Sequence, residues 1–169
     1  MNPVFDPVRK LCKTDVLAGF DCGQPDLNLF LQRHALSSQQ ANSAQTYVCC
    51  HEDRVAAYYS LAVGAVDPVA APSRILKGLA RHPVPVMILA RLAVSKEHQP
   101  RGLGRALLKD ALLRTAQAAD IAGIRALLVH AKDDTARQWY LSWEFEPSPT
   151  DSFHLFLMLK DLKALLGNP

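Results

Sequence analysis

Three consecutive stretches restrict the fold more than any others. They are PVPVMILARLAV at 83–94, HQPRGLGRALLKDALL at 98–113, and IRALLVHA at 124–131. The first and third are nearly all apolar, as strands buried on both faces must be. Between them Leu103, Leu107, Leu108, Ala111, Leu112 and Thr115 recur at intervals of three and four, the stripe of an amphipathic helix. A strand–helix–strand unit of this kind favours parallel pairing of its strands within a mixed sheet.

The other elements are read around this unit. DCGQPDLNLFLQRHALSSQQA opens with turn residues and becomes helical, with Leu27, Phe30, Leu31 and His34 on one face. AQTYVCCHEDRVAAYYSLAVGAV is a hairpin about the polar turn His51–Arg54, and of Tyr58 and Tyr59 one is expected to face in and the other out, with no role assigned to either. DDTARQWYLSW is a short helix begun by an Asp cap, and FHLFLMLKDL is a last strand that alternates into a polar tail. No repeat, low-complexity tract or linker interrupts residues 1–169, which are expected to form a single domain. Apolar residues make up 49% and charged residues 21%, the balance of a soluble globular chain. No apolar run approaches the roughly 20 residues of a membrane span. The opening MNPVFDPVRK lacks the apolar core of a signal peptide, so the cytoplasm is the expected location. Cys12, Cys22, Cys49 and Cys50 show no C-x-x-C spacing, which favours reduced, mostly buried thiols and no metal site.

Glycine at the mouth of the long helix has a physical reading. A helix N-terminus presents unpaired N–H groups and partial positive charge, and so receives anions, phosphates especially. Gly102 and Gly104 would let a pyrophosphate approach the backbone, with Arg101 and Arg105 adding charge beside it, and the same residues equally suit a glycine-softened strand–helix turn with solvated arginines. The pattern is neither a Walker loop, for want of G-K-[ST], nor G-x-G-x-x-G, because Leu107 stands at the third glycine position. A net charge of +3 is too small to indicate nucleic-acid binding by itself. The segment SRILKGLARHP, however, carries Arg74, Lys77, Arg81 and His82 with no acid, as a solvated face or a phosphate-contacting patch would.

Gln99-Pro100-Arg101-Gly102-Leu103-Gly104 matches [QR]-x-x-G-x-[GA], the acyl-CoA loop of the GCN5-related N-acetyltransferases (GNAT family). ILARLAV resembles that family's splayed central strand, whose end, here Leu92, Ala93 and Val94, pairs with the pantetheine arm. DDTARQWYLSWEF resembles N-x-x-A-x-x-x-Y-x-x-x-G-F, with Asp133, Ala136, Tyr140, Glu144 and Phe145 in place. Two positions depart from the pattern. Asp133 replaces Asn and lacks an amide donor, and Glu144 replaces a Gly expected in the left-handed region. The resemblance implies an α/β fold with a mixed, mostly antiparallel central sheet and a splayed strand pair flanked by helices.

Over residues 12–162 the chain looks like the bacterial toxin acetyltransferases of type II toxin–antitoxin systems. That likeness implies acetyl transfer from acetyl-CoA to the α-amine of aminoacyl-tRNA and arrest of translation. It also implies a ribbon-helix-helix (DUF1778-like) antitoxin and a homodimer. It assigns Tyr140 as the acid that protonates the leaving thiolate. Leu92, Ala93, Val94, Gln99, Arg101, Gly102, Leu103, Gly104, Arg105 and Asp133 would hold acetyl-CoA. Arg74, Lys77, Arg81 and Arg91 would contact tRNA, although Arg91 equally suits a structural ion pair. His130 reads better as a packed histidine than as a site residue, and Trp139 and Trp143 as core or dimer contacts. An acetyltransferase of a small amine is the alternative that the basic run disfavours. A non-catalytic acyl-CoA-binding module is disfavoured by Tyr140.

Overall fold

The computed structural model describes residues 4–80 and 82–167. Its strands are β1 (Arg9–Lys10), β2 (Gln45–His51), β3 (Arg54–Val66), β4 (Val84–Val94), β5 (Ala126–His130), β6 (Glu146–Pro147) and β7 (His154–Met158). They form one mixed sheet in the order β1-β2-β3-β4-β5-β7-β6. Among the described strands the parallel ladder joins β4 and β5, the two strands of the apolar strand–helix–strand unit. That ladder ends at Leu89↔Val129, and β4 runs on past its end through Ala90–Val94. The helices are α1 (Pro25–Leu29), α2 (Ala35–Gln40), α3 (Ser73–Leu76), α4 (Leu103–Ala119), α5 (Asp134–Leu141) and α6 (Leu159–Leu165). No helix among the described residues is long and apolar enough to cross a membrane.

The chain divides into two compact units, Met1–Ala62 with Ala90–Ala111, and Val63–Leu89 with Leu112–Pro169. In the first, Leu11, Phe20, Phe30, Leu31, Ala35, Val48, Tyr58 and Ala93 share a core. β3 lies at its centre and is buried continuously from Val55 to Leu61. Tyr58 and Tyr59 are both fully buried, against the expectation that one faces outward. Tyr58 lies beside Phe20 and Phe30, and its hydroxyl donates to the Leu27 carbonyl at 2.7 Å. Tyr59 stacks on Tyr47 and donates to Asp110 Oδ2 of α4 at 2.5 Å. Each ring carries its polar end to a partner on its own side, which permits both to be buried.

A single π turn, Phe30–His34, joins α1 to α2, and the Ala35 N–H bonds to the Phe30 carbonyl five residues back. The wider turn moves the buried stripe by one position. Phe30, Leu31 and Ala35 are buried, and His34, expected on that face, is exposed. All six predicted stripe residues of α4 are buried, including Thr115. Cys22, Cys49 and Cys50 are buried free thiols, and Cys12 is exposed.

In the second unit Ala71, Ile75, Val84, Val86, Ala126, Leu128 and Phe156 form the core. β7 pairs antiparallel with β5, Leu128 opposite Phe156. The polar tail expected after β7 is the helix α6, its Leu162 fully buried.

Candidate active site

The first unit holds the glycine loop. β4 ends at Val94, and a short 3-10 helix, Lys96–Arg101, leads to Gly102. Gly102 has φ +76°, the left-handed region that favours glycine. Nothing lies within 4 Å of where its Cβ would stand, so conformation rather than crowding selects glycine here. The Ala106 N–H bonds to the Gly102 carbonyl, so the first turn of α4 is formed by Leu103, Gly104 and Arg105, directly after the left-handed glycine. Leu103 is buried and anchors that turn, while Arg101 and Arg105 are exposed beside it. The geometry fits a pyrophosphate laid on amides, with no side chain in the way.

Gln99 performs a task that the motif does not announce. Its side-chain amide donates to the carbonyls of Val94 at 3.1 Å and Cys22 at 3.0 Å. It therefore clamps the loop to the end of β4 and gathers Leu92, Ala93, Val94 and residues 99–105 into one arrangement. Ala93 is buried in the core, and Leu92 and Val94 are half-buried. Next to the loop a cavity of about 420 Å³ is lined by Arg54, Ser95, His98 and Arg101 among others. The Ser95 hydroxyl is buried with no hydrogen-bond partner among the described residues. The rings of Phe5, His51 and His98 meet pairwise at 5.3 Å. Burial holds the His98 imidazole below its ordinary pKa.

The second unit holds Tyr140. Asp133 caps α5 by accepting the Ala136 N–H at 2.8 Å, so the carboxylate that replaces the usual Asn is engaged within its own helix. At the other end of α5 the Glu144 N–H bonds to the Leu141 carbonyl and the Phe145 N–H to that of Tyr140. These are the two bonds of a Schellman motif. Glu144 occupies its left-handed position at φ +71°, as expected for a residue in the family's glycine place. The apolar contact that accompanies such a cap is made by Tyr140 itself, its ring 5.4 Å from that of Phe145. The spacing Tyr-x-x-x-x-Phe is thus a packing requirement that orients the phenol. Tyr140 is buried and also meets Trp139 edge-on, yet its hydroxyl has no hydrogen-bond partner among the described residues. Burial alone pushes its pKa above the ordinary phenol value, so it is protonated at neutral pH. Trp139 and Trp143 are half-buried on the same helix end. His130 is exposed and stacks on His154 with ring centres 4.0 Å apart, a packed histidine at the surface rather than in the core.

The basic segment is less free than its sequence implies. Arg74 is bound by two carboxylates distant in the chain, Glu146 and Asp161. Lys77 is exposed beyond α3, and Arg81 lies outside the described residues. Arg91 belongs to the first unit and lies over the Phe30 ring, its guanidinium carbon 3.6 Å from the centroid, a cation–π contact rather than an ion pair. Among the described residues no group of three or more His, Cys, Asp or Glu is placed to hold a metal.

The acetyltransferase (GNAT) domain model matches residues 42–147 of the chain. The chain is 43% identical to a tRNA-acetylating toxin of Mycobacterium tuberculosis over 164 residues, 97% of this chain and 98% of that one. Its structure is similar to that of AtaT complexed with acetyl-methionyl-tRNAfMet, at a TM-score of 0.88 and 28% identity, covering 96% of this chain and 99% of that one. It is also similar to a Tyr-to-Phe variant of AtaT bound to acetyl-CoA and the C-terminus of the antitoxin AtaR, at a TM-score of 0.82 and 26% identity, covering 98% and 99%. With its glycine-opened α4, its β4 that outruns the parallel ladder and its capped tyrosine helix, the chain belongs to the GNAT family of acetyltransferases.

Proposed function

We propose that this acetyltransferase moves an acetyl group from acetyl-CoA to the α-amine of aminoacyl-tRNA and thereby stops translation. Identity of 43% to a tRNA-acetylating toxin, over 97% of the chain, carries the reading. Acetyl-CoA supplies the acyl group as a thioester. Its pyrophosphate is held by the first-turn amides of α4, with Arg101 and Arg105 beside them, and the end of β4 receives the pantetheine arm. The acceptor α-amine has an ordinary pKa near 8, so a useful fraction is neutral at pH 7 and no strong base is needed. Tyr140 holds a proton with no internal acceptor and delivers it to the departing sulfur. Lys77, Arg81 and Arg91 each contact the tRNA on this reading, and Arg74 positions its neighbours through its two carboxylates.

On the same reading the whole chain acts as one cytoplasmic domain and as a homodimer, neutralised by a ribbon-helix-helix antitoxin. The solved complex of AtaT with the C-terminus of AtaR supports an antitoxin partner.

Purified protein with labelled acetyl-CoA and a total pool of charged tRNA tests this function, with deacylated tRNA and Tyr140→Phe as controls. Label is expected on charged tRNA alone. Tyr140→Phe is expected to retain acetyl-CoA binding and to lose about 10²–10⁴-fold in turnover. Acetyl-CoA binding without label on any tRNA would redirect the reading to a small-amine acceptor. Full turnover by Tyr140→Phe would remove the tyrosine from the mechanism.

A further inference from the structure

We propose that the second unit carries a groove for the phosphate backbone of RNA, with a rim formed by Lys77, Lys160 and Lys163. It rests on the aminoacyl-tRNA reading above and adds residues of the C-terminal helix to it. The groove is a cavity of about 500 Å³ between the end of α3, the start of β5 and α6. Its apolar lining comes from Ile124, Met158 and Leu159. Arg74 and Arg125 also line it, but their guanidinium groups are committed elsewhere. Arg74 is bound to Glu146 and Asp161. Arg125 donates to the carbonyls of Ile75 and Lys77, each at 2.9 Å.

This internal use of the arginines shapes the site. Arg125 pins the end of α3, and so fixes the backbone that carries Lys77. Its own carbonyl accepts the Leu159 N–H at 3.0 Å, which pins the start of α6 and sets where Lys160 and Lys163 project. The three lysines form no ion pair among the described residues. Lys77 and Lys160 are exposed and Lys163 is half-buried. A prepared surface therefore presents three uncompensated ammonium groups around apolar side chains. Lysines are point charges on flexible stems and accept phosphates without a fixed geometry. RNA meets both halves of the surface, its phosphates at the rim and its ribose faces on Met158 and Leu159.

The test is fluorescence anisotropy of labelled, charged tRNA across 50–300 mM KCl, with wild type, Lys160→Ala/Lys163→Ala, Lys160→Arg/Lys163→Arg, and the charge-matched Lys10→Ala/Lys13→Ala. Retained acetyl-CoA binding certifies each fold. Loss of two phosphate contacts is expected to weaken binding by about tenfold or more near 100 mM salt and to reduce the log–log salt slope by about two. The arginine pair is expected to restore the slope, and the Lys10/Lys13 pair to leave it unchanged. A wild-type slope in Lys160→Ala/Lys163→Ala overturns the groove. So does a variant that keeps tRNA but loses an acidic peptide such as oligoglutamate, which assigns the surface to a protein partner. Wild-type protein that binds charged tRNA with the expected slope but does not acetylate it refutes the proposed function and leaves the groove standing. Failure to bind tRNA at all refutes both.

Discussion

Glu144 offers a clean measurement of local strain. Its side chain is exposed, and its φ of +71° is imposed by the Schellman cap that closes α5. An L-residue in the left-handed region costs about 1–2 kcal/mol relative to glycine. Glycine in turn adds about 0.4–1 kcal/mol of unfolded-state entropy to be lost on folding. The balance predicts that Glu144→Gly stabilises the protein by about 0.5–1 kcal/mol. For a chain of this size 1 kcal/mol moves Tm by about 2–4 °C, so a rise of about 1–4 °C is expected. Glu144→Ala keeps a Cβ and therefore the strain, and is expected to match wild type within about 0.5 kcal/mol. Urea and thermal unfolding of the three proteins, followed by circular dichroism, give the comparison. An equal gain in Glu144→Ala would show that the charge and not the backbone was at issue. No gain in Glu144→Gly would refute the strain argument.

Two further outcomes follow from burial. Burial pushes the Cys49 thiol up to about 11 and raises that of Cys50, whereas Cys12 is exposed. Native protein at pH 8 should expose one of its four thiols to a disulfide reagent, and Cys12→Ser should abolish that fast phase. Burial also keeps His98 neutral below its ordinary pKa, with Arg101 and His51 acting in the same direction and Glu97 opposing them. The unfolded chain thus takes up this proton first, and stability falls as pH drops through about 6.5. The urea midpoint of wild type should fall more between pH 7.5 and 5.5 than that of His98→Gln, and parallel falls would exclude the imidazole as a source.

The parts of the fold legible in the sequence are those governed by local rules. Six positions at helical spacing identified the buried face of α4, because one period governs a straight helix. Gly102 and the Asp133 cap were readable because each serves its immediate neighbours. What escaped depends on partners far along the chain or on a change of period. One π turn carries His34 out of the core and Ala35 into it. Tyr58 and Tyr59 are both buried because helices supply a partner to each hydroxyl, a fact no alternation pattern holds. The tail after β7 continues a strand-like alternation into residues that wind as α6, and the helical spacing that brings Lys160 and Lys163 together is not marked in that alternation. The charge of Arg74 is balanced by acids 72 and 87 residues away, which no local charge count detects.

The burial of β3 on both faces from Val55 to Leu61 has a consequence for the chain before it folds. From Val55 to Val66 it has neither a charge nor a proline, and it is rich in β-branched and aromatic residues. Such a segment is held safely within a finished sheet. In an unfolded or partly folded chain it is a template for intermolecular strand pairing. Only its borders, Arg54 on one side and Asp67-Pro68 on the other, resist that pairing. Variants that loosen the first unit should therefore be lost to aggregation during synthesis, and the soluble yield of the protein becomes a readout of how quickly β2 and β4 close around this strand.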